Sequence, residues 1–142
     1  MQIEKIQPED IPEVVDLWYE TSLKAHDFID PQYWNANREL MKNRYIPMAD
    51  TFIAREEERI TGFASVMENY LAAVFVLPQF QGRGVGSALL GYVKTLRDHL
   101  TLKVFVRNTK SVEFYHAHGF SALSEQEDEE TGEKELVMEW RK

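Results

Sequence analysis

Apolar positions along the chain change period several times, and each change marks an element. Gln2-Ile3-Glu4-Lys5-Ile6 alternates as a short strand. Pro8 then opens a helix, because proline at the first helical position with Glu9 and Asp10 in the first turn is a start signal. Ile11, Val14, Val15, Trp18 and Ser22 fall on one face of it. A second helix is predicted from Asp30-Pro31, with Tyr33, Trp34, Leu40 and Met41 on its apolar side. Residues 51–55 and 60–67 read as a hairpin around Glu56-Glu57-Glu58. Residues 70–77 are almost continuously apolar, the pattern of a strand buried in the middle of a sheet.

A third helix follows, with Val85, Leu89, Val93, Leu96 and Leu100 at helical spacing, and residues 102–106 form the next strand. A short helix over residues 110–118 stops at Gly119, a suitable left-handed position. Residues 120–123 and 135–140 make a last pair of strands, joined by the acidic segment 125–133. The predicted order is strand, two helices, three strands, helix, strand, helix, two strands, in one domain spanning residues 1–142.

The densest chemical signal lies where the apolar strand meets the third helix. Val74-Phe75-Val76-Leu77-Pro78 runs into a loop with Gly82, Gly84 and Gly86 at alternate positions, then into Ser87-Ala88-Leu89-Leu90. Glycines let backbone N–H groups approach a ligand, and the first turn of a helix offers unpaired donors at a positive dipole end. An anion, phosphate above all, is the expected guest. A nucleotide P-loop would close with Gly-Lys-Ser/Thr, which the chain lacks. A dinucleotide site would place an acid about 20 residues on, where this chain instead follows its next strand with Arg107-Asn108. The pattern that fits, Gln81-x-x-Gly84-x-Gly86 after a Val-x-Pro strand end, resembles the acetyl-coenzyme A loop of the GNAT superfamily of N-acetyltransferases. A second match lies downstream. Asn108-Thr109-Lys110-Ser111-Val112-Glu113-Phe114-Tyr115-His116-Ala117-His118-Gly119-Phe120 resembles the later motif of the same superfamily, in which Asn follows a strand and a short helix carrying Phe-Tyr ends in Gly-Phe.

This resemblance implies an α/β fold, with a mixed, mostly antiparallel sheet of about seven strands flanked by about four helices. It also implies an acetyl-CoA-dependent acyltransferase that passes the acetyl group directly to an amine. The backbones of Gly82, Arg83, Gly84, Val85, Gly86 and Ser87 would then hold the pyrophosphate, while Gln81 and Arg83 either touch phosphate or face solvent. Val74, Phe75 and Val76 would offer backbone groups to the pantetheine arm and to the developing oxyanion, their side chains packing in the core. Asn108 would bond the pantetheine, cap the following helix, or do both. Tyr115 aligns with the tyrosine that protonates the departing thiolate. For the general base, Glu68 before the apolar strand and His26 between the first two helices are candidates, with water as the other carrier. The alternative function is a noncatalytic acyl-CoA-binding sensor or interaction module.

Composition narrows this picture only at its edges. The chain has no cysteine, so a covalent cysteine intermediate and thiolate metal sites are unavailable. His116 and His118 are two apart on a helix and share no face, so no metal is expected. A net charge of −8 argues against nonspecific nucleic-acid binding and suits a cationic small-molecule or peptide amine. The acidic segment 125–133 would draw in such an acceptor or simply form a solvated loop, and Trp18, Phe28, Tyr33 and Trp34 would line an acceptor pocket or belong to the core. With a charged N-terminal segment and no bilayer-length apolar stretch, a cytoplasmic monomer or homodimer without a membrane partner is expected.

Overall fold

The computed structural model describes residues 1–142. Seven strands form one sheet in the order β1-β2-β3-β4-β5-β7-β6. Strands β1 (Gln2–Lys5), β2 (Asp50–Glu56), β3 (Arg59–Met67) and β4 (Tyr70–Val76) pair antiparallel in sequence order. Two tight turns join the last three, and each takes a glutamate into left-handed backbone, Glu57 at φ 56° and Glu68 at φ 54°. Strand β5 (His99–Phe105) lies parallel to β4, and β7 (Lys134–Arg141) separates it from the edge strand β6 (Ser121–Glu127).

Helices cover both faces. On one, α3 (Val85–Leu96) and α4 (Thr109–Ala117) enclose Leu71, Leu89, Val93, Leu100, Leu102 and Met138. On the other, α1 (Ile11–Ala25) and α2 (Pro31–Ala36) enclose Val14, Trp18, Trp34, Ile53 and Phe63. Asp30 caps α2 through a 2.9 Å bond from the Gln32 amide, as its N-cap position requires.

Three expectations from periodicity need correction. The second helix does not run unbroken to Met41: the Asn37 side chain donates to the Tyr33 carbonyl at 2.7 Å and competes with the helical bond there. The chain continues through Arg38–Leu40, a π-helical Met41–Tyr45 and Ile46–Met48, leaving Leu40 exposed. Leu100 is not on the third helix but in β5. Arg97 is extended where α3 stops, tethered to the Glu68 carbonyl and Asp50, and Leu100 kept the helical phase only because both elements feed one core.

The third correction concerns β4. It is the fourth of seven strands, yet of its residues only Leu71 is buried. Tyr70 and Thr101 form its single register pair with β5, after which the two strands part. On its other side the register passes from Ser65–Ala73 to Val66–Leu71, so Ala72 is the extra residue of a bulge. A central strand thus presents an open backbone edge.

Candidate active site

Where β4 and β5 diverge, a cleft of about 1380 Å³ opens through the sheet. The backbone edge of residues 72–76 forms one wall, and the loop ahead of α3 closes one end. Gly82 at φ 78° and Gly84 at φ 85° take the left-handed backbone that glycine adopts without strain. A Cβ at either position would meet nothing within 4 Å, so the loop is open where an anion would rest. Gly84 is the N-cap of α3 and has no side chain to satisfy the first-turn donors, whose helical bonding begins only with Ala88 N–H to the Gly84 carbonyl. Gly86 is needed for a second reason, because a Cβ there would come within 3.3 Å of the Phe114 ring.

The cofactor residues expected from the motifs come together with one exception. Val74, Phe75, Val76, Gln81, Gly82, Gly84, Val85, Gly86, Ser87 and Asn108 all line this cleft, but Arg83 does not, its guanidinium lying 5.4 Å from the Phe80 ring centroid. Gln81 is exposed. Its side chain donates to the Val76 carbonyl at 2.9 Å and braces the loop against β4. Ser87 shares a 3.0 Å bond with His118 Nε2, which ties the loop to the end of α4.

Tyr115 reaches the cleft from α4, 9% exposed, with its ring edge-on to Phe114 and Phe120. Burial first, and the neighbouring Tyr70 phenol second, push its pKa well above the ordinary tyrosine value. The hydroxyl therefore keeps its proton throughout the neutral range. Gly119 at φ 87° ends the helix, and a Cβ there would press on the Trp140 ring at 3.2 Å.

The two candidates for the general base fare differently. Glu68 stands exposed on the β3–β4 turn, outside the cleft, where only its carbonyl is used, accepting from Arg97. The left-handed turn explains that residue. His26 does line the cleft, but burial lowers its pKa to about 4, so it is neutral at physiological pH and a weak base. It stacks on Trp34 at 5.2 Å and lies edge-on to Phe28 and Phe105. Asn108 Oδ1 accepts from the Ser111 amide at 3.3 Å, capping α4, so Nδ2 points to His26 Nε2 at 3.1 Å. His26 thus accepts at Nε2 and carries its proton at Nδ1, which has no partner. Its place is positional.

Several cleft residues gave no motif signal. Tyr70, Lys103, Phe105 and Glu135 line it, and Glu135 is only 8% exposed. The acidic segment is also more than a solvated loop. The Tyr33 hydroxyl donates to Glu130 Oε2 at 2.6 Å, and Thr131 braces Asp128, so Asp128 and Glu130 are held against α2 at the cleft mouth. Trp18, Tyr33 and Trp34 contribute to this end as well, though Trp18 and Trp34 are mostly core.

Known proteins share this arrangement. The family described as "Acetyltransferase (GNAT) domain" matches residues 19–142. The peptidyl-lysine N-acetyltransferase YiaC of Escherichia coli is 34% identical over 139 residues, covering 97% of this chain and 95% of that protein. The peptidyl-lysine N-acetyltransferase YjaB of Escherichia coli is 26% identical over 93% of this chain and 90% of its own. The solution structure of apo YjaB superposes with a TM-score of 0.86 over 98% of this chain and 96% of that one, at 25% identity. At the level of fold alone, the PaiA N-acetyltransferase of Thermoplasma acidophilum, solved in complex with coenzyme A, covers both chains completely at 18% identity and a TM-score of 0.82. The chain belongs to the GNAT family and is an N-acetyltransferase, moving an acetyl group from acetyl-CoA to an amine.

Proposed function

We propose that the acceptor is a lysine ε-amine presented by a protein or peptide, and that residues 1–142 act as one such transferase domain in the cytoplasm, as a monomer or homodimer. One observation carries this reading: three carboxylates, Asp128, Glu130 and Glu135, line the same cleft as the glycine loop. A long cationic side chain suits such a lining. The activity named for YiaC and YjaB is in line with it.

In this reading the backbone N–H groups at 84–87 hold the pyrophosphate and the open edge at 74–76 pairs with the pantetheine amides. The bulge at Ala72 leaves backbone unpaired near the point where the strands part, a position suited to an oxyanion. Tyr115 donates its hydroxyl hydrogen to the leaving thiolate. The test is turnover of acetyl-CoA with lysine-containing peptides, free lysine, polyamines and peptides blocked at the ε-amine. Thiol release with acetylation mapped to the lysine side chain by mass spectrometry is the expected result. Turnover confined to small amines or to peptide N-termini overturns the acceptor assignment.

A further inference from the structure

The sheet's alternation leaves one carboxylate buried with no cation. Along β7, Leu136, Met138 and Trp140 pack into the core beneath α3 and α4, which turns Glu135 to the opposite face of the sheet. It stands opposite Phe105 of β5 and Gln126 of β6, inside the cleft. Gln126 Nε2 donates to Oε1 at 2.8 Å, leaving Oε2 to the cleft.

No lysine or arginine forms an ion pair with Glu135. Lys134 pairs with Glu125 and Arg107 with Glu133, while Lys103, exposed and on the same face of β5, lines the same cleft without pairing to Glu135. Buried charges are ordinarily paired, because removing a carboxylate from water is costly unless an opposite charge compensates it.

We propose that Glu135 receives the acceptor's ammonium group and removes its proton, making it the general base of the acetyl transfer. The inference rests on the N-acetyltransferase reading above and names the group that reading leaves open. One proton passes from the ammonium to Oε2 and on to water. The neutral nitrogen bonds to the acetyl carbon as the carbon–sulfur bond breaks. Nitrogen's surplus proton then leaves for water, while the thiolate takes one from Tyr115, which water restores. The sum is an amide, a thiol and one released proton. Glu135 and Tyr115 are well placed for these separate tasks, since β7 brings one from the α1 side of the sheet and α4 brings the other from the α3 side. Tyr70 neighbours both, its pKa raised by desolvation first and by the Glu135 charge second.

Glu135→Gln keeps the shape and can still accept from Gln126, deleting only the charge and the basicity. With a lysine peptide at neutral pH, kcat/KM should fall on the order of 10²-fold or more, with acetyl-CoA affinity unchanged. The deficit should shrink by about tenfold per unit as pH rises toward the lysine pKa of about 10.4, because bulk water then supplies the neutral amine. The thermal midpoint should hold or rise, since an unpaired buried charge has been removed. A lower midpoint, a misfolded variant, a deficit that ignores pH, or kcat/KM within about threefold of the parent each overturn the proposal while leaving the transferase reading intact. Failure of the parent itself to acetylate any lysine peptide overturns the acceptor assignment, and this proposal with it.

Discussion

Acidification is the perturbation that most sharply tests the environment of His26. Its folded-state pKa of about 4 lies below the ordinary 6.5, through burial among Trp34, Phe28 and Phe105. As pH falls the unfolded chain takes up the proton first, so stability is lost from pH 6.5 down to about 4 and is flat below. Relative to pH 7, the linkage amounts to about 1 kcal/mol at pH 5.5 and about 2 kcal/mol at pH 4.5. Carboxylates contribute their own acid dependence, so the comparison is with His26→Gln, whose loss of packing is a constant offset. Urea unfolding followed by the fluorescence of the three tryptophans should show the parent losing about 2 kcal/mol more than the variant between pH 7 and pH 4.5. Parallel profiles, or an imidazole that titrates near 6.5 by NMR, refute the reasoning and return His26 to the list of bases.

Gly84→Val places a side chain in the open concavity of the loop at φ 85°, so it should cost about 1–2 kcal/mol of stability and weaken coenzyme A binding measured by calorimetry. An unchanged affinity in the folded variant removes the cradle. Tyr115→Phe deletes a hydroxyl and keeps the ring packing, so kcat should drop about 10²-fold or more at near-parent thermal stability, and parent-rate turnover when chemistry is limiting reassigns the proton to water. Asn108→Ala removes both the cap of α4 and the partner of His26 and should destabilise by about 1–2 kcal/mol in denaturant titration, whereas Asn108→Asp, which keeps the cap acceptor, should lose less.

The glycine loop, the Asn108-to-Phe120 segment and the strand and helix order were all legible in the sequence because each is a local pattern. Gly84 is needed at its own φ and Gly119 at its own. What stayed hidden depends on which strands become neighbours. Glu135 reads as an acid on the outer face of an amphipathic strand, and nothing within β7 says that β5 lies beside it or that β5 parts from β4. Glu68 precedes the cofactor strand in sequence, and only the fold shows that it sits exposed on a two-residue turn outside the cleft lining. His26 reads in sequence as a residue between two helices. Only the packing of α1 against α2 and β5 buries it. Leu40 and Leu100 show the remaining limit, since a heptad-like spacing does not reveal where a side-chain hydrogen bond or an extended residue interrupts a helix.

The contact between Asn108 and His26 joins what the chain keeps 82 residues apart. One amide caps the helix that carries Tyr115, and its other end fixes the imidazole that ends α1, so the donor side and the acceptor side of the cleft share a single hinge point. A neutral imidazole serves this better than a charged one. His26 Nε2 must be unprotonated to accept from Asn108, and desolvation by the surrounding rings keeps it so. The aromatic cluster therefore has a role beyond filling space. By holding His26 neutral it preserves the orientation of Asn108, which leaves Oδ1 to the α4 cap and one remaining N–H for a ligand in the cleft. Base chemistry is then left to a group outside that network, and Glu135, one strand beyond Phe105, is the buried carboxylate within reach.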